Sequence, residues 1–183
     1  MSATVDRHRQ AVYDAEDVAF GGTAYDEPLP FADAAELVGA FCATGRWAAL
    51  GLPVPAVAPT RADSSRSYAE CDGDAVLHLA PAGCTVATIA HELAHLLAHR
   101  LGRSDDPAHG LAFRRADVDL AGALMGTVAA ERLAAAFAGA GLDLGPELDV
   151  GPTPCARLGF WANWWSARTL AAATTAGRGP IAL

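Results

Sequence analysis

The chain has 183 residues, 52% hydrophobic and 19% charged, with a formal net charge of −8. That is enough for one domain with its own core, too apolar for disorder, and without the run of roughly 18–20 apolar residues that a membrane span requires. All 13 basic residues are arginine, which excludes a lysine Schiff base and a P-loop lysine, and the acidic balance argues against a nucleic-acid groove.

The start, MSATVDRHRQ, has no apolar signal region, which predicts a cytoplasmic protein. Cys42, Cys71, Cys84 and Cys155 form no CxxC pair, so reduced thiols are expected rather than a zinc knuckle or disulfides. Helical spacing predicts a first helix from Asp6 to Phe20, with Val12, Ala15, Val18 and Ala19 on its apolar stripe and Gly21-Gly22 at its end. After a turn-rich loop to about Pro30, a second helix is predicted from Phe31 to Leu50. Ala34, Leu37, Phe41 and Ala48 form its stripe, and Asp33 is placed to cap its start. Pro53 and Pro55 break the period.

Val54 to Pro59, Ser67 to Cys71 and Ala75 to Ala80 then read as three short strands, the last two joined by a two-residue hairpin at Asp72-Gly73. Together they predict a small antiparallel sheet, its first strand confined by prolines to an edge or a strand start. Thr85 to Leu101 is helical, with Val86, Ile89, Leu93, Leu96 and Leu97 apolar and Gly102 as a stop. Asp106-Pro107 opens a further helix to about Met125, and Thr127 another to about Ala138, ended by Gly139 and Gly141. From Leu142 onward proline and glycine punctuate the chain. Phe160, Trp161, Trp164 and Trp165 sit at helical spacing there, predicting a docking helix near Ala156 to Ala173. The fold class is α+β.

His91-Glu92-Leu93-Ala94-His95 lies in the middle of the strongest helix. Residues four apart on a helix stand side by side, so His91 and His95 form half of a tetrahedral zinc site. Glu92 points to a neighbouring face, where a carboxylate can serve as proton acceptor for a metal-activated water. Three histidines compete to complete the ligand set. His99 lies on the same face but about 12 Å from His91 along the axis, too far to share one ion, and reads as a helix-end residue favoured by the dipole. His78 reads as a solvent- or cleft-facing strand residue. His109 is the strongest, placed after a turn-rich loop in the first turn of the next helix, with Gly110 beside it and Phe113 one turn on.

H-E-L-A-H followed by H-G-x-x-F resembles the SprT-like branch of zincin metallopeptidases. More narrowly, the chain resembles a small actinobacterial family of HExxH metallohydrolases, which share an N-terminal helix like Arg9 to Glu16, a hairpin into the metal helix, and the HGxxF helix. The similarity spans about Arg7 to Leu144. It implies a zincin-like domain over residues 1–144, with 145–183 as a C-terminal extension packed on it. It also implies His91, His95 and His109 as Zn2+ ligands and Glu92 as catalytic base. The chain departs from larger SprT relatives in lacking a cysteine-rich zinc ribbon and a basic DNA-binding region, which argues against crosslink repair on DNA.

Around this motif, Asp117 and, less strongly, Asp119 could orient a ligand imidazole, although a solvated helix face is the commoner reading. Arg114 and Arg115 could clamp a substrate carboxylate, although exposed helix arginines are commoner. Tyr68 reads as a half-buried strand residue rather than an oxyanion donor, Cys84 as a small buried hydrophobe, and the tryptophans as core seal before lid. The expected function is a zinc metallopeptidase-like hydrolase. A peptide could add to the strand Ala75 to Ala80 as an edge. The alternatives are a metal-dependent hydrolase or lyase for a small metabolite, and a non-catalytic zinc-binding interaction module. No nucleic-acid or membrane partner is expected.

Overall fold

A computed structural model describes residues 6–81, 84–101, 108–147 and 159–175. Among them are seven helices and a three-stranded mixed sheet: an α+β fold. No helix of these residues is long and apolar enough to cross a membrane.

Helix α1 (Arg9–Phe20) buries Val12, Ala15, Ala19 and Phe20 against the core. Val18, predicted on that stripe, is 79% exposed. It lies on the opposite edge of the helix, and Phe20 takes the place it was assigned. The second predicted helix is two. Helix α2 (Phe31–Cys42) stops, and α3 (Gly45–Ala49) restarts after a break at Ala43 and Thr44. The break turns Trp47 into the core, where its indole N–H donates to the Pro53 carbonyl at 2.9 Å. Ala48 is left exposed. Asp33 makes no cap; it and Glu36 hold Arg168 instead.

The strands are β1 (Ala56–Pro59), β2 (Tyr68–Glu70) and β3 (Val76–Leu79), in the order β1-β3-β2. Only the β2–β3 pair is antiparallel; β1 runs parallel to β3, so the sheet is mixed rather than antiparallel as expected. The Asp72-Gly73 turn is present, with Gly73 at φ 74°. The register Glu70↔Val76, however, leaves a longer connection than two residues. Strand β1 lies at an edge as its prolines require, whereas β3 is central and both its edges are taken. Leu77 and Leu79 of β3 face the core with no exposed surface, and His78 alternates to the other side.

Helix α4 (Val86–Arg100) is the central element, capped by the Thr85 hydroxyl, which accepts from the Thr88 N–H at 3.0 Å. The loop between α1 and α2 is laid across its start, with Ala87 N–H donating to Tyr25 O and Leu29 N–H to Cys84 O. Helices α5 (Leu111–Met125) and α6 (Thr127–Gly139) follow, joined at Gly126, whose φ of 101° only glycine adopts readily. The predicted Asp106-Pro107 start lies outside the described residues. Helix α7 (Phe160–Thr175) seals the far side, Phe160 against Phe41 and Trp161 against Tyr25, both at 5.6 Å between ring centres. The residues before Phe160 in its predicted span also lie outside the description. Cys42, Cys71 and Cys84 are free thiols.

Candidate metal centre

The packing of α4 against α5 brings three imidazoles together. His91 Nε2 lies 3.2 Å from His95 Nε2 and 3.3 Å from His109 Nε2. His91 and His95 share the α4 face as predicted. His109 sits in the turn just before α5 rather than in its first turn. That turn is fixed by Arg114, a buried residue of α5 whose Nη1 donates to the His109 carbonyl and whose Nε donates to Asp143 O, both at 2.7 Å. Arg114 therefore positions a site residue from behind. Arg115 is likewise spent on structure, donating to Gly145 O at 3.0 Å and pairing with Asp119 at 3.9 Å.

Two of the imidazoles are oriented by carboxylates, from residues not singled out in the sequence. His91 Nδ1 meets Glu16 Oε1 at 2.6 Å, and His109 Nδ1 meets Asp6 Oδ2 in a short contact. The Asp6 carboxylate favours the Nδ1–H tautomer of His109, and Glu16 does the same for His91 once it is ionised, which leaves the Nε2 lone pair directed at the cluster. Asp117, buried on α5, bonds Glu16 and so stands one step behind His91. Glu16 carried a legible signal: it lies among Val12, Ala15, Ala19 and Phe20, an acid beside the core stripe that must find a partner. Asp6, 103 residues from His109 in the chain, carried none.

Aromatic rings fill the space between. Phe113 stands 4.5–4.9 Å from all three imidazoles, and Tyr13 of α1 lies 5.4 Å from His91 and 5.5 Å from His109. Glu92 is buried and accepts from the Ala69 backbone N–H, while its Oε2 has no hydrogen-bond partner among the described residues. His91 and Glu92 lie at the floor of an open cleft of about 760 Å3 between α1 and the segment leading into β2.

The other predicted residues lie elsewhere. His78 stacks on Tyr68 at 4.4 Å and meets Glu70 at 3.2 Å on the outer face of the sheet. His99 is exposed at the end of α4. Tyr68 is 52% exposed, the half-buried strand residue expected, and Cys84 is fully buried. None of the α7 tryptophans lines the cleft.

Burial sets the proton affinities. It holds His95 neutral, its pKa pushed down to about 2 by burial and by the neighbouring His91 and His109, and it lowers His109 as well. It raises Glu16 to about 8 and Glu92 to about 7, and Asp117 well above the usual carboxylate range. His95 and His109 are thus held towards the neutral form, with a lone pair each for a cation. The carboxyls shed protons on folding less readily than on unfolding, so between about pH 4.5 and 8 the unfolded chain binds fewer protons and stability falls as pH rises. The imidazoles act in the opposite direction only below about pH 6.5, where the unfolded chain takes up protons. For chelator-treated protein, the urea midpoint is expected to fall between pH 6.5 and 8. A midpoint that rises across that window would show these carboxyls already ionised in the fold.

Asp6→Asn and Glu16→Gln are each expected to weaken zinc binding by about 10–100-fold while the imidazoles remain. Competition against a chromogenic chelator reads this directly; unchanged affinity in both would leave the two carboxylates with a purely structural part.

Compared with known proteins, the chain matches no family profile, no curated protein and no solved structure.

Proposed function

We propose that the chain is a zincin-like, metal-dependent hydrolase, in which His91, His95 and His109 hold a zinc ion and Glu92 is the general base. The observation that carries this reading is the spacing of the three Nε2 atoms, 3.2 and 3.3 Å. Nitrogens bound tetrahedrally to zinc at about 2.0–2.1 Å stand roughly 3.3–3.4 Å apart. Three lone pairs at this distance repel one another unless a cation or protons lie between them, and burial disfavours protons on His95 and His109.

Zinc bound there supplies a Lewis acid and a water that ionises near neutral pH. The chain's residues supply the rest. Glu16 and Asp6 fix ring orientation, and Tyr13 and Phe113 hold the imidazoles in place. Glu92, raised by burial to about 7, lies in the range where a carboxyl both accepts a proton from the attacking water and returns it to the leaving group. Its buried, unpartnered Oε2 weighs against a purely structural metal site.

An extended peptide suits the open cleft. The strand available for pairing is β2, an edge strand bordering α4, and not the central β3 first expected in that part. The metabolite reading drew on an aromatic tail closing over the cleft, and none of the tryptophans lines it. Protein purified without added metal is expected to carry about one zinc per chain and to cleave members of a mixed peptide pool, read by mass spectrometry. Chelation should abolish cleavage and zinc restore it. Absence of metal together with no measurable zinc affinity would overturn the proposal.

A further inference from the structure

We infer that this site takes ligands bearing a carboxylate set apart from the reacting group, and that Arg9 is the residue that holds it. The inference rests on the metal-site reading and names the substrate class for it.

Arg9 lies in the first turn of α1 and lines the same cleft as His91 and Glu92. Its guanidinium stacks over the Tyr13 ring at 5.5 Å, and that ring in turn stands against His91 and His109. One aromatic ring therefore separates the cation from the imidazoles. At that remove Arg9 does not reach the reacting atoms; it meets a group carried further along the ligand.

The guanidinium has no carboxylate partner among the described residues, in a chain with 21 acidic and 13 basic residues. Two nearby acids are engaged elsewhere, Asp6 before α1 by His109 and Asp14 on it by the Gln10 amide at 2.8 Å. Arg66, exposed on the facing wall, likewise has no acidic partner among the described residues. A planar fork already stacked on a ring loses little freedom when it takes a carboxylate bidentately.

The cleft is also directional. Asp17 and Asp26 line its other end, with Asp17 about 12 Å along α1 from Arg9 by helical rise. Asp6 and Asp14 also line the Arg9 end, but each is already bonded there, to His109 and to Gln10, so what sets this end apart is a guanidinium without an acidic partner among the described residues. The ligand chemistry is shared by a peptide's C-terminal carboxylate, an acidic side chain and a small carboxylic acid.

The test uses the full chain loaded with cobalt(II), whose visible absorption reports a ligand at the metal, alongside calorimetry, which reports binding whether or not cobalt enters. The probes are succinate, glutarate and adipate, each against its monoamide. At least one diacid is expected to bind about ten-fold or more tightly than its monoamide. That preference should vanish in Arg9→Ala and return in part in Arg9→Lys, with zinc content unchanged in both. Diacid and monoamide behaving alike, neither giving heat, or a preference that survives Arg9→Ala would overturn the inference. Failure of cobalt to bind would sink the metal reading and with it the inference, whereas cobalt bound with no preference for a diacid would overturn the Arg9 inference alone. Hydrolysis of peptides with free or amidated C-termini, and with Glu or Gln beside the cleaved bond, then tells which source of carboxylate the site accepts.

Discussion

Glu92→Gln is expected to lower hydrolysis by about 10^2–10^4-fold, the usual worth of a positioned general base, while zinc affinity stays close to that of the parent. The amide is isosteric and its oxygen can still accept from the Ala69 N–H, so the local backbone is kept. It offers no basic oxygen at the buried position that Oε2 occupies without a partner. Metal binding depends on three nitrogens that the substitution does not touch. Stability gives a second, independent reading. Burial raises Glu92 to about 7, so above that pH the parent carries an unfavourable buried charge that the amide removes. The variant is therefore expected to be more stable than the parent at pH 8 and about equal at pH 5. Rates that match between the two proteins, with zinc bound in both, would remove Glu92 as the general base, and no hydrolysis by either would leave the interaction-module reading.

What the sequence made legible follows from the range of the signals. The H-E-x-x-H pair is set by one helix turn, and a helix with strong periodicity was readable at α4. His109 was placed beside the pair because a short connection returns to the same end of the helix, although Gly110, not the Asp106-Pro107 pair, is where α5 takes its N-cap. The errors occur where local pattern meets long-range geometry. The Asp72-Gly73 turn determines how β2 meets β3 and says nothing of β1, whose parallel pairing depends on a connection that passes through β2. The break between α2 and α3 serves one buried indole, Trp47, a need that periodicity does not express. Glu16 and Asp6 reach their histidines across 75 and 103 residues, and a single sequence has no term for such pairs. Arg114 reads from the sequence as an exposed helix arginine before a substrate clamp; burial and the His109 carbonyl give it a positioning part that neither reading contains.

His91→Ala is expected to cost more zinc affinity than any other single change, more than about 100-fold and beyond the range of the carboxylates behind the ligands. Its Nε2 alone stands within hydrogen-bonding distance of both other imidazoles, while its Nδ1 holds Glu16. Removing it takes one of three nitrogens and also leaves Glu16 and Asp117 facing each other across a buried gap without the imidazole that favours an ionised carboxylate. Asp117 then keeps its proton to higher pH. Loss of zinc should accordingly be accompanied by a steeper fall of stability with rising pH than in the chelator-treated parent. His99→Ala and His78→Ala are the controls, since one lies exposed at the helix end and the other on the outer face of the sheet. Both should bind zinc as the parent does. If His91→Ala kept zinc within ten-fold of the parent, the cluster would not be the metal site; if His78→Ala lost zinc instead, the ion would belong to the sheet face beside Glu70.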